Sequence, residues 1–293
     1  DGSRSVYFNA AKATIRFNEK NSLDVIYTRN TEEEKYLPVI DNQDRKLLFP
    51  EMDESAFILY GKFKPADRLA VEPYYIYKTE DAHVRSGNNV AELKLHTVGN
   101  RMVYDFQPWR VRGEIAYQFG EYDDNRDRNG LGGYVFLTRN FREARFSPSL
   151  DFGYAYLSGD DDPYAGDDDG WNPVFSKWPW ISELYVFGSA IERGEPGYWS
   201  NLQLLRARLD MKMTEKTGLF LAYNYLMANE GMAPSPFFGG GTKRGQLPQV
   251  QLTHKFCKNV EGLLLLEYFI PGDYYAANRD DAVFFRWQIQ MNF

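Results

Sequence analysis

The last twelve residues show the pattern most clearly. In AVFFRWQIQMNF, Val283, Phe285, Trp287, Ile289, Met291 and Phe293 fall on one side of an extended chain, and Ala282, Phe284, Arg286, Gln288, Gln290 and Asn292 on the other. Successive side chains of a strand point to opposite faces, so this segment is a strand with one apolar and one mostly polar face. Its length is informative. Strands of soluble proteins run about 5–6 residues, whereas a tilted strand crossing hydrocarbon needs about 9–11.

The alternation recurs upstream. Trp109, Val111, Ile115, Tyr117 and Phe119 alternate with Arg110, Arg112, Glu114 and Gln118; Leu205, Ala207, Leu209 and Met211 alternate with Arg206, Arg208, Asp210 and Lys212. Val250, Leu252 and Phe256 alternate with Gln249, Gln251, Thr253 and Lys255. Weaker versions lie near 5–18, 22–30, 56–63, 69–78, 90–103, 132–141, 147–158, 217–227 and 260–270, the last apolar on both faces. The expectation is an all-β fold, an antiparallel transmembrane β-barrel with about 13–14 strands in this chain, forming one outer-membrane barrel domain over 1–293. Short connections near 18–22, 64–68, 105–108, 141–146, 214–216 and 258–262 take turns with long polar ones near 31–55, 79–89, 120–131, 159–199, 228–246 and 271–281. Short periplasmic turns and long external loops alternate in this way in outer-membrane barrels. Thirteen is odd, and single-chain bacterial barrels have even counts. N-terminal strands preceding Asp1 are therefore expected, or one more strand within 159–199 or before Ser5.

Composition fits a barrel better than its mean hydropathy of −0.54 suggests. Tyr and Phe number 21 each, and no run approaches the ~18 apolar residues of a membrane helix. A wall with half its residues toward lipid and half toward a polar lumen keeps average hydropathy low and collects aromatics at the interfaces. Cys257 stands alone, so no intrachain disulfide forms. Only His83, His96 and His254 are present, no Ser/His/acid set stands out, and His254 falls on the lipid-facing register. The expectation is no enzyme activity and no cofactor. The net charge of −7 speaks against nucleic acid as a partner.

Charge is unevenly placed. The polar registers carry Lys12, Arg16, Lys62, Lys78, Lys94, Arg110, Arg112, Arg206, Arg208, Lys212, Lys255 and Arg286 against Asp24, Glu72, Glu92, Glu114, Asp151, Asp210 and Glu267. The remaining acids gather in long loops, as TEEEK, DDNRD and GDDDPYAGDDDG. A basic lumen under acidic outer loops concentrates anions along its axis, and Arg can grip carboxylates in bidentate fashion. The competing reading is that these bases pair with acids on neighbouring strands and stiffen the wall. The acidic run at 159–170 offers oxygens for Ca²⁺ but lacks EF-hand spacing, so a solvated loop is the default. FFGGGTKRG at 237–245 lacks phosphate-loop spacing and reads as flexible backbone.

Several segments resemble the alginate-export family of bacterial outer-membrane proteins: LDFGYAYLSGDDDP at 150–163, DGWNPVFSKWPWISELY at 169–185, YWSNLQLLRARLDMKMTEK at 198–216, LLLLEYFIPGDYY at 263–275 and NAAKATIRFNEKNSLDVIYT at 9–28. The Trp/Pro loop is the most distinctive of them. The resemblance implies an eighteen-stranded barrel in the bacterial outer membrane, of which this chain is the C-terminal portion. It further implies an electropositive lumen that passes an anionic polysaccharide.

The functional expectation is a porin or exporter for an anionic polysaccharide or small anionic solute. Arg16, Lys94, Arg110, Arg112, Arg206, Arg208, Lys212 and Arg286 line its pore, and Trp171, Phe175, Trp178, Trp180 and Glu183 narrow it. The alternative is a structural barrel that sheathes or docks a protein, such as an electron carrier or lipoprotein. Membrane lipid is a partner in both.

Overall fold

Alternating side chains give a chain two surfaces, and antiparallel pairing of successive segments joins those surfaces into a wall. A computed structural model describes residues 8–32, 52–85, 88–162, 166–175, 181–184, 191–192, 195–196 and 200–292. Its strands are β1 (Ala10–Arg16), β2 (Ser22–Asn30), β3 (Glu54–Ala66), β4 (Leu69–Glu80), β5 (His83–Arg85), β6 (Asn88–Val90), β7 (Leu93–Phe106), β8 (Trp109–Tyr122), β9 (Asp127–Asn140), β10 (Ser149–Leu157), β11 (Ile191–Glu192), β12 (Glu195–Pro196), β13 (Leu202–Lys212), β14 (Thr217–Met227), β15 (Lys243–Cys257), β16 (Val260–Pro271) and β17 (Ala282–Met291). Thirteen of them form one sheet in the order β1-β2-β3-β4-β7-β8-β9-β10-β13-β14-β15-β16-β17, so each wall strand pairs with the next one in sequence. β5–β6 and β11–β12 are small hairpins outside it. β1 and β17 are the two edges. No helix among the described residues is long and apolar enough to cross a membrane.

The outer surface is apolar in a way that water does not tolerate. Ile115, Tyr117 and Phe119 of β8, Leu264 and Leu266 of β16, and Phe285, Trp287 and Ile289 of β17 are all exposed, Trp287 at 67 %. Such a band far exceeds the apolar patches of soluble monomers. Moving each of these side chains from water into hydrocarbon gains roughly 1.5–3 kcal/mol. The opposite face is polar and much less accessible: Asp24, Thr97, Gln118, Asp151, Asn224, Gln249 and Glu267 are buried there. β16, apolar on both sides in sequence, turns Leu265, Glu267 and Phe269 inward and Leu264, Leu266, Tyr268 and Ile270 outward.

One loop expected from sequence needs correction. The stretch near 120–131 is not a long loop: β8 continues to Tyr122, β9 begins at Asp127, and four residues turn between them. Asn125 takes the left-handed conformation (φ 66°) that Asn tolerates, and Arg126 pairs with Asp124 at 3.0 Å. Strand pairing persists above the apolar band, where alternation lapses but hydrogen bonds do not. Within 159–199, the described residues hold no further wall strand, only the hairpin β11–β12.

Candidate functional site

The inner wall divides into two tiers. The lower tier, toward the short turns, is a lattice of charges fixed by strand register. Lys12 of β1 and Lys62 of β3 each reach Asp24 of β2 at 2.8 Å, with Thr14 donating to the same carboxylate at 2.7 Å. Arg101 and the Tyr60 hydroxyl both donate to Glu72 at 2.6 Å. Arg110 meets Asp105 at 3.0 Å.

The four arginines expected to lead an anion come together on one patch. Arg112, Phe136, Gly153 and Arg206 face one another in a row across β8, β9, β10 and β13; Arg110, Thr138, Asp151 and Arg208 form the next row. With strands about 4.8 Å apart, the arginines stand at the corners of a patch about three strand spacings wide. Asp151 in its interior accepts from Arg112 at 2.9 Å. Arg208 bonds to Asp210 at 2.6 Å and lies over Phe220 at 4.3 Å, and Arg112 lies over Phe136 at 4.9 Å. Arg206 differs from these. It makes no ion pair among the described residues, and its Nε is buried without a hydrogen-bond partner. Pairing across strands for Arg110 and Arg112, and along β13 for Arg208, leaves Arg206 as the arginine of the patch without an ion pair among the described residues.

The other expected pore residues separate. Arg16 shares the inward register of Lys12 and Thr14, Lys212 that of Arg208 and Asp210, and Arg286 faces inward opposite Leu265. Lys94 does not face the lumen. It stands on the outward register of β7 with Val98 and Met102, beside Glu92 at 3.7 Å, because Leu93 and Leu95 take the buried positions. The sequence run LKLHTV reads equally well with either face inward, and its leucines, not its lysine, take the inner face. Arg101, Arg128 and Arg244 are inward or buried bases that alternation missed, since each stands next to glycine, loop or polar residues that blur the register.

The upper tier is occupied by the chain itself. Two described stretches of the connection between β10 and β13, 166–175 and 181–184, attach to the inner face of the wall at two places. The first attachment is to β4, β8 and β9. The Trp171 ring covers Gly132, where a Cβ would come within 2.7 Å of it. Gln118 of β8 donates to the Asn172 carbonyl at 2.9 Å and accepts from its N–H at 2.8 Å. Lys78 of β4, almost wholly buried, is paired with Glu54 and Glu80 at 2.7 Å each. It also donates to the Val174 carbonyl and lies 4.7 Å from the Phe175 ring. At the loop's base, Arg128 binds Asp168.

The second attachment is to β15, β16 and β17. Glu267 accepts from the Ser182 hydroxyl at 2.6 Å, the Glu183 N–H at 3.1 Å, the Leu184 N–H at 3.0 Å and Gln249 at 2.6 Å. Gln249 also donates to the Ile181 carbonyl at 2.8 Å, and Arg286 pairs with Glu183 at 3.2 Å. Ile181 and Leu184 insert into an apolar collar of Ala155, Leu202, Leu204, Leu226, Leu247 and Phe269. Of the expected constriction residues, Trp171, Phe175 and Glu183 are therefore inside the wall. Trp178 and Trp180 lie outside the described residues. The acids of 159–170 hold the loop to itself and to the wall: Asp160 accepts from the N–H groups of Asp162 and Asp169, Asp167 from the N–H of Asp127, and Asp168 from Arg128. Among the described residues, no group of three or more His, Cys, Asp or Glu could hold a metal.

Residues 8–229 match the sequence model of a family described as alginate export. The chain belongs to the alginate export family. Among curated proteins no sequence match was found. Its fold is similar to solved outer-membrane β-barrels of Pseudomonas aeruginosa. OccK3 (OpdO) aligns with a TM-score of 0.55 at 11% identity, covering 96% of this chain and 68% of that one. OccK5 (OpdH) aligns at 0.54 and 12% identity, covering 98% and 71%. Family and fold together make this a transport channel of the bacterial outer membrane.

Proposed function

We propose that the channel passes an anionic polysaccharide, or a smaller uronate-like solute, along the basic lower tier and past the inserted loop. The observation that carries this reading is Arg206. A cation without a counter-ion on a partly dry wall keeps its field for a mobile anion, whereas a paired arginine spends most of its field on its partner. Around it, Arg110, Arg112 and Arg208 are each held by one carboxylate, which orients the guanidinium and leaves further donors for a passing carboxylate. Trp171, Phe175 and Glu183 in the upper tier leave the solute a reduced cross-section. A sheathed or docked protein partner finds less room there, because the chain's own loop fills that space.

Planar-bilayer recording tests the proposal. Arg206→Met keeps much of the side-chain volume and removes the charge, so the anion-to-cation permeability ratio should fall about twofold in a salt gradient. Unchanged reversal potentials would refute the role given to Arg206.

A further inference from the structure

Two inward aromatic side chains of the lower tier bond through their hydroxyls to the charge lattice and leave their rings unused by it. Tyr60 of β3 and Tyr74 of β4 are direct cross-strand partners. Their ring planes are within 9° of parallel and their centroids 6.0 Å apart. Both lean the same way round the wall. The Tyr60 hydroxyl donates to Glu72 on the next strand, and the Tyr74 hydroxyl crosses β7 to donate to Glu114 on β8, both at 2.6 Å. Gly99 makes this crossing possible. It stands opposite Tyr74, and a Cβ there would collide with the ring, coming within 2.7 Å of its Cε2 atom. The rings therefore lie along the wall as a continuous apolar strip. Each is pinned at its hydroxyl, with Arg101 and the two carboxylates at its margin.

We propose that Tyr60 and Tyr74 form a saccharide platform, a binding site for two successive pyranose rings of a transported glycan. The chemistry is specific to that class. An aromatic ring carries negative charge on its face, and the axial C–H side of a pyranose is apolar and slightly positive, so the two stack. The ring faces themselves offer a small inorganic or carboxylate anion no hydrogen bond; the cations nearby, Arg101 and Lys62, are paired with Glu72 and Asp24. The 6.0 Å spacing suits rings in series, and the charged groups at the strip's margin suit sugar hydroxyls. Pinning both hydroxyls removes rotamer freedom in advance, which lowers the entropy lost on binding. The platform presupposes the channel proposed above and adds that its solute is a sugar chain.

The test is interruption of single-channel current in the full-length protein by three probes: a short uronate oligosaccharide, a neutral oligosaccharide of equal length, and citrate. Tyr60→Leu/Tyr74→Leu should shorten the residence of both oligosaccharides about tenfold while leaving citrate block and reversal potential unchanged. Tyr60→Phe/Tyr74→Phe keeps the rings and should retain most of that residence. Tyr60→Leu alone leaves Gly99 covered, and it serves if the double variant does not fold. Oligosaccharide residence that is indifferent to the Leu substitutions, or lost equally in the Phe variant, would overturn the platform. If the wild type shows no anion preference but neutral oligosaccharides still depend on the rings, the basic-lumen reading fails and the platform stands.

Discussion

The two tiers of the inner wall use charge in opposite ways. In the upper tier two buried charges each gather several partners: Lys78 meets two carboxylates and a loop carbonyl, and Glu267 accepts from four donors, three of them on the loop. In the lower tier the patch arginines stay half-open: Arg110, Arg112 and Arg208 hold one carboxylate each, and Arg206 makes no ion pair among the described residues. Saturation holds a segment in place, because freeing it would leave buried charges without partners. Partial pairing holds only the side chain and leaves capacity for a ligand. Position along the barrel axis, more than residue identity, decides whether an arginine or glutamate is an anchor or a contact.

The contrast breaks most visibly at Lys78. Lys78→Met leaves Glu54 buried without the ammonium that pairs it and should destabilise the folded barrel by about 3–5 kcal/mol, measured by urea unfolding in detergent. The matched lower-tier change, Arg206→Met, removes a charge that had no partner and should leave unfolding unchanged or slightly favour the fold. Equal destabilisation by the two would erase the distinction between tiers.

The smallest effect lies outside both. Lys20 and Asp67 join two short turns at 3.0 Å, and the Lys20 ammonium holds the Asp67 carboxyl below its usual range. A lowered carboxyl stabilises the fold above its ordinary pKa and loses that contribution as acid protonates it. Asp67→Asn should therefore fall marginally below wild type at pH 6 and converge on it as the pH falls through the carboxyl's lowered pKa, the difference vanishing in high salt because the pair is exposed.

The wall was legible in sequence because hydrocarbon on one side imposes a strict two-residue period. The thirteen strands expected are the thirteen of the sheet, and the alternation at 282–291 and 109–119 carries directly into outward Phe285, Trp287 and Ile115. Legibility failed where hydrocarbon stops. At the β8–β9 turn, charged residues continue a ladder that polarity alone reads as loop. At Lys94, both faces of the strand end are mixed, so the register could not be chosen. For the site, the clustering of Arg110, Arg112, Arg206 and Arg208 followed from two strands pointing each pair one way, but their nearness needed the register of β9 and β10 between them. The loop anchors were hidden for a different reason: Gln118, Gln249 and Glu267 look like any polar wall positions, and only contact with residues far away in sequence distinguishes them.

Glu267 offers the most direct test of the claim that the loop is fastened inside the wall. Glu267→Ala strips the acceptor from Ser182, Glu183 and Leu184, leaving buried donors that each cost about 1–3 kcal/mol unless the segment leaves the wall. Single-channel conductance should rise severalfold, with long openings absent from the wild type. Conductance identical to wild type in a correctly folded variant would contradict the account, because the loop would then have no anchor there to lose.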